Sequence, residues 1–312
     1  MSLVSTWSNL DSAAFLTPFI LCCSPFLLLY SLYRLLRVPN RVEKRIRRFS
    51  QAVASHPVIS HRGGYPENTL SGIRLAKKKG YRAVEVDLEF TKDGYPVLLH
   101  DPSVNRTSDG TGNLRDLTFA QARQLDFGIK FGAQYAGERI PTLQEAVALC
   151  KELDLMLILD IKSNRRRSAR LLREMCDQDP QLCDYLGVIS FYPDLLYLVA
   201  RTNPELVCAA AMKDWEFTWN MDGSTRHDHW WRQALAPFFD IAVSIVNHYV
   251  LWRLIELPFV GLYKKEIDDD KLEFWRKRGS EVIVWSMGEE EAHEFQKTVK
   301  LPVIVDISPL DQ

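Results

Sequence analysis

A closed (β/α)8 barrel of the TIM type, an α/β fold, is what this sequence predicts, with an apolar helix ahead of it. Three observations carry that prediction. Eight short β-branched runs alternate with helical segments from Pro57 onward. Several runs end in charged or polar residues, where parallel barrels place their active sites. An uncharged stretch of membrane-spanning length precedes them all.

The runs fall at 58–61, 83–89, 156–162, 186–191, 207–213, 260–265, 281–286 and 303–306. Eight strands separated by helices imply a sheet closed on itself. A further strand, 96–100, follows 83–90 through Thr91-Lys92-Asp93-Gly94. Asp-Gly between apolar runs signals a hairpin, not a parallel crossover. Folding about that turn brings His100 back to the barrel mouth, roughly opposite Glu85.

Between Asp11 and Arg34 lie 22 residues without a formal charge. A helix of about 20 apolar residues spans a bilayer core, and membrane helices tolerate prolines such as Pro18 and Pro25. A cleaved signal peptide fits poorly, because the start lacks positive charge and no small-residue cleavage site follows. Residues 1–37 therefore read as a single-pass transmembrane anchor in the plasma membrane or an endomembrane. Residues 38–56 read as a basic linker and 57–312 as the barrel, with an apolar insertion at 213–259. The basic cluster Arg34–Arg48 suits a cytosolic leaflet. Asn105-Arg106-Thr107 matches a glycosylation acceptor and points to the other side. It lies so close to His100 that it reads as fortuitous.

The stretch 234–262 carries formal charge only at Asp240, Arg253 and Glu256, so hydropathy alone marks it as a second span. One crossing there would strand the last three β-runs across the bilayer with open edges. The segment is expected to stay on one side, its apolar face packing on the barrel or dipping into the lipid interface.

A length of 312 residues suits one barrel and a short appendage. Net charge of −1 argues against bulk nucleic-acid binding. None of the six cysteines forms a CxxC pair, so they read as buried thiols.

Four features converge at strand ends. His61-Arg62-Gly63-Gly64 follows the first run. Glu85 and Asp87, two apart, share a face of the second. The hairpin returns His100-Asp101, and the third barrel run ends in Asp160-Ile161-Lys162. Glu85, Asp87 and Asp160 make an all-oxygen set for a hard cation, Mg²⁺ or alternatively Ca²⁺. Arg62 and Lys162 supply charge suited to phosphate oxygens, and two histidines can divide general base and general acid. Each group alone is ordinarily structural. Three carboxylates buried together without a cation are costly, and that shifts the reading to a site.

The ordered set His61-Arg62-Gly63-Gly64-Tyr65-Pro66-Glu67-Asn68-Thr69, Glu85-Val86-Asp87 and His100-Asp101 resembles the glycerophosphodiester phosphodiesterase signature. The resemblance continues through Arg106–Gly112, Ile140–Leu143, Asp160-Ile161-Lys162, Ser190-Phe191 and Val284-Trp285-Ser286. The segment from Asp214 to Trp231 is similar to the animal membrane-glycoprotein branch, associated with glycerophosphoinositol-type headgroups. The resemblance implies a phospholipase-C-like phosphodiesterase barrel. In it His61 and His100 would be the acid/base pair, and Glu85, Asp87 and Asp160 the metal ligands. Arg62 and Lys162 would contact phosphate, with Trp285 near the ligand. Asp160 stands where many members carry Glu. Ser286-Met287-Gly288 also departs from the usual pattern.

The expected reaction is metal-dependent hydrolysis of a glycerophosphodiester, such as glycerophosphoinositol or glycerophospho-N-acylethanolamine. Its products are glycerol 3-phosphate and an alcohol, and the nucleophile is either water or the glycerol C2 hydroxyl. A lysophospholipase D and a catalytically inactive membrane interaction protein are the alternatives. Small glycerophosphodiesters or lysophospholipids and membrane lipid are the expected partners.

Overall fold

The computed structural model describes residues 27–38, 43–55 and 57–309. Most of the expected anchor therefore lies outside the described residues. Its visible end is helix α1, Leu27–Leu36, followed by α2, Glu43–Ser55. The barrel begins with β1 (Val58–Ser60), α3 (Leu70–Lys78), β2 (Ala83–Phe90) and β3 (Pro96–Leu98). It continues through α4 (Phe119–Ala122), α5 (Leu143–Glu152), β4 (Met156–Ile161), α6 (Arg165–Gln178), β5 (Leu186–Ser190), α7 (Pro193–Thr202) and β6 (Val207–Met212). The insertion supplies α8 (Trp230–Ile245) and α9 (Trp252–Ile255), joined by a π-helical segment, Val246–Leu251. The chain closes with β7 (Phe259–Tyr263), α10 (Asp269–Arg276), β8 (Glu281–Gly288), α11 (Glu289–Thr298) and β9 (Val303–Asp306).

Eight strands pair in parallel in the order β1-β2-β4-β5-β6-β7-β8-β9, and β9 pairs back onto β1. Closure leaves no free edge among them. Because helices cover the outside, strands such as β5 and β6 are buried on both faces and read as continuous apolar runs. Side chains still alternate inward and outward. Ile59, Ala83, Met156, Ile158, Ile189 and Ile304 fill the interior, while Val84, Val86, Leu157 and Leu159 pack against the helix shell.

The hairpin forms, with a small shift from the expected register. Leu88 pairs with Leu98 and Phe90 with Pro96. The reversal spans Thr91–Tyr95, closed by Thr91 N–H to the Tyr95 carbonyl at 3.1 Å. That longer turn sets Leu99 N–H on the Asp87 carbonyl at 3.1 Å. His100 is thereby delivered to Asp87 rather than to Glu85.

Residues 43–55, within the stretch expected as a basic linker, form a helix that packs on the barrel. Ile46, Phe49 and Val53, spaced three and four apart, form one helix face that plugs the N-terminal end of the barrel. Phe49 is 3% exposed and meets Phe259 edge-on at 4.8 Å between ring centroids. Residues flanking that face reach the acids around this end. Arg45 Nε lies 2.7 Å from Asp184, and Arg48 contacts Asp154 and Asp184. These two arginines, expected to serve a lipid leaflet, answer protein carboxylates instead. Phe49→Ala should cost about 3–5 kcal/mol of stability, the range for emptying a buried aromatic site. Chemical denaturation would check it, and a loss below about 1 kcal/mol would mean the plug contributes little.

The helix Trp230–Ile255 is, by length and composition, long and apolar enough to cross a membrane. It does not separate the strands around it. Ala209 pairs with Phe259 and Met212 with Leu262 across β6 and β7, so the segment leaves and re-enters one barrel.

Candidate active site

Inward parity places the chemistry. The row Ala83, Glu85, Asp87 on β2 and the row Met156, Ile158, Asp160 on β4 climb from the apolar interior to the mouth. Asp87 and Asp160 are register partners. Oxygens of Glu85, Asp87 and Asp160 all lie within 4.8 Å of one another. Glu85 and Asp87 are 3% exposed. Asp160 Oδ1 is buried with no hydrogen-bond partner among the described residues. An oxygen-only set with an orphaned buried acceptor fits a hard divalent cation.

Lys162 Nζ bridges Asp87 at 2.6 Å and Asp160 at 3.0 Å. Burial raises the Glu85 carboxyl to about 7, and the charge of Asp87 adds to the rise. Burial also pushes Asp87 up, but Lys162, His100 and the Asn68 amide outweigh it and hold Asp87 below the usual carboxylate range. Burial raises Asp160, with Lys162 only partly opposing it. Burial lowers Lys162, and the carboxylates it bridges override that and raise it.

Two histidines flank this cluster, each held through Nδ1 by a carboxylate. His61 continues the inward row of β1, and its Nδ1 bonds Asp306 at the end of β9. Its Nε2 lies 3.8 Å from Glu85. His100 Nδ1 bonds Asp101 at 2.7 Å. Their environments differ in sign. Burial depresses His61, yet Asp306 and Glu85 overcome it and raise the imidazole above its ordinary value. Burial lowers His100, with Asp87 opposing and Lys162 and Arg62 reinforcing.

Arg62 enters at φ +51°, and its backbone N–H donates to Glu85 at 2.9 Å. Its guanidinium turns to Glu67 at 3.2 Å. Arg106 bridges Glu67 and Asp101, both at 2.7 Å. Arg106 and His100 hold the Asp101 carboxyl down at about 2 against its burial. The mouth is tight because two glycines touch. A Cβ on Gly64 would stand 2.4 Å from the Gly72 carbonyl oxygen, and one on Gly72 would stand 2.4 Å from that of Pro66.

Seven of the eight expected residues therefore gather around one point, with Lys162 bridging the carboxylates, Arg62 donating through its backbone and His100 beside Asp87. Trp285 is the one set apart. It stands across the mouth on β8, packed against Phe191 and Tyr263 at centroid distances of 5.6 and 5.0 Å, with Nε1 buried and unpartnered. Sequence reasoning missed Asp306 and Asn68. Asp306 was legible, since Ile304 faces inward and the next inward position is 306. Asn68, which clamps Asp87 through Nδ2 at 2.9 Å and accepts Asp87 N–H at 3.0 Å, gave no periodic signal.

The glycerophosphoryl diester phosphodiesterase family model matches residues 61–307. The chain belongs to the glycerophosphodiester phosphodiesterase family. It is 35% identical over 303 residues to glycerophosphodiester phosphodiesterase 1 of Mus musculus, covering 90% of this chain and 91% of the relative. It is 37% identical over 234 residues to the Homo sapiens protein of the same name, covering 73% and 71%. Among solved structures, an Oleispira antarctica phosphodiesterase in complex with sn-glycerol-3-phosphate matches with a TM-score of 0.61. It is 23% identical and covers 80% of this chain and 92% of that one. That likeness supports the barrel, and the family membership accounts for the ordered motifs along it.

Proposed function

We propose that this glycerophosphodiester phosphodiesterase hydrolyses small glycerophosphodiesters to glycerol 3-phosphate and a free alcohol, with a divalent cation at Glu85, Asp87 and Asp160. The observation that carries the proposal is the pair of carboxylate-held histidines flanking three buried carboxylates at one barrel mouth. A bound cation, Mg²⁺ or Ca²⁺, supplies charge neutralisation on the phosphoryl oxygens. The chain's own groups do the rest. Asp306 and Asp101 fix the two rings through Nδ1, leaving each Nε2 to exchange a proton with substrate. One histidine removes a proton from the nucleophile, and the other protonates the departing alcohol. Lys162 and Arg62 bring positive charge to the phosphate, and Trp285 closes the far wall.

A lysophospholipase D is favoured by one observation. A cleft of about 340 Å³ opens between α8 and the segment after β6, with Phe191, Met212, Phe217, Ile241 and Ile245 on its apolar side and Lys213, Asp214 and Glu216 among its polar lining. Phe191 joins it to the Trp285 side of the mouth, and the apolar side suits a hydrocarbon chain. Purified full-length protein assayed on glycerophosphoinositol, glycerophosphoethanolamine and a lysophospholipid tests both readings. Glycerol 3-phosphate release from the first two is expected. Turnover of the lysophospholipid alone would establish the second reading in place of the first, and inertness toward all three would overturn both.

A further inference from the structure

The long helix of the insertion presents an apolar face that nothing among the described residues covers. Leu235, Phe238, Ile241, Ile245 and Tyr249, at three- and four-residue spacing, are all between 49% and 71% exposed. Between Arg232 and Arg253 the only formally charged residue is Asp240. Asp240 is turned inward and 8% exposed, where it accepts from Phe217 N–H at 2.9 Å and from the Thr218 hydroxyl at 2.5 Å. His248 is likewise folded against Phe274 and Trp275. The outer face therefore carries no charge along its length. Each end is marked by an arginine over a tryptophan: Arg232 lies 5.1 Å from the Trp231 ring centroid and Arg253 lies 5.0 Å from that of Trp252. Aromatic rings and arginines at the ends of an apolar stripe are how helices settle at a lipid–water boundary.

What should cover this face is indicated by where the chain before the barrel arrives. The 22 uncharged residues ahead of Arg34 end in α1, whose Leu28 and Leu35 are 71% exposed. The exit of α1 is fastened to the end of the insertion helix. Val38 N–H donates to the Leu254 carbonyl at 2.8 Å, and Arg37 pairs with Glu256. Tyr197 on α7 donates to the Leu36 carbonyl at 2.8 Å. Two exposed apolar helices thus meet at one point, and one of them continues into a stretch of bilayer-spanning length.

We propose that the outer face of α8 and the π-helical segment after it is a monotopic docking surface for a lipid bilayer, lying in the interface beside the N-terminal anchor and laying the barrel's flank on the membrane. The helix rests in the lipid surface without crossing it, because β6 and β7 remain paired at its two ends.

The test uses full-length protein in vesicles of phosphatidylcholine and phosphatidylserine, with the photocrosslinker p-benzoylphenylalanine placed singly at Leu235, Phe238 or, as a control, Tyr95. Mass spectrometry then identifies the adducts. Lipid adducts at 235 and 238, and none at 95, are expected. Adducts to a second copy, adducts to residues 12–26 of the same chain, or no adduct at either position would each overturn the proposal. The readout does not depend on turnover, so it is separable from the assignment of the reaction. All three positions are exposed, and retained circular dichroism in each variant confirms that a negative result is not misfolding.

Discussion

Replacement of His61 or His100 by alanine is expected to lower kcat by at least about a hundredfold, the usual scale for a lost general acid or base. Neither ring is replaceable by its neighbour, because each is aimed from a different strand by a different carboxylate. Asp306 on β9 holds His61, and Asp101 after β3 holds His100. The double variant should fall little below the worse single one, since groups acting as a unit are not additive. Both rings are partly exposed at the mouth, so alanine there leaves the folded state intact, and an unchanged melting temperature would establish that. A folded single variant with near-normal turnover would remove that histidine from the reaction.

Chelation should abolish activity, and Mg²⁺ or Ca²⁺ should restore it. Three carboxylates face one ammonium in the cluster. That leaves buried carboxylates whose ionised forms are incompletely balanced, and uncompensated buried charge costs several kcal/mol per ion. A divalent cation is the compact way to balance it. Glu85→Gln keeps the shape of the side chain and removes one charge. More cation should then be needed for half-maximal rescue, with the fold preserved. Full activity in excess EDTA would show that the carboxylates serve another purpose, and equal rescue of Glu85→Gln would remove Glu85 from the ligand set.

The parts of this molecule that were legible beforehand are those governed by short periods. The eight parallel strands declared themselves through runs of branched residues between helical stretches. Glu85 and Asp87 declared a shared face through their two-residue spacing. The hairpin declared itself through Asp93-Gly94, although its five-residue reversal shifted the partner of His100 from one carboxylate to the next. Residues whose role depends on meeting a distant segment were harder. Phe49 looked like one apolar residue in a basic stretch, and its plug function appears only once Phe259 and Ile158 are brought around it. Asp306 closes a contact across 245 residues, and only the inward parity of β9 hinted at it. Asn68 stands within the motif at the end of the first run, but its clamp on Asp87 is a property of loop geometry that no spacing reveals.

The contact between Gly64 and Gly72 limits how this enzyme can change. The loop carrying His61 and Arg62 is seated on α3 by backbone against backbone, with no side chain between them to be trimmed or exchanged. A methyl group at either position would land on a carbonyl oxygen, and no nearby substitution can make room, since the obstructing atoms belong to every amino acid. A randomised library at 64 or 72 should therefore return glycine alone among active clones. Efforts to redirect specificity have freer ground on the other side of the mouth, where Phe191, Tyr263 and Trp285 meet through rings that can be resized.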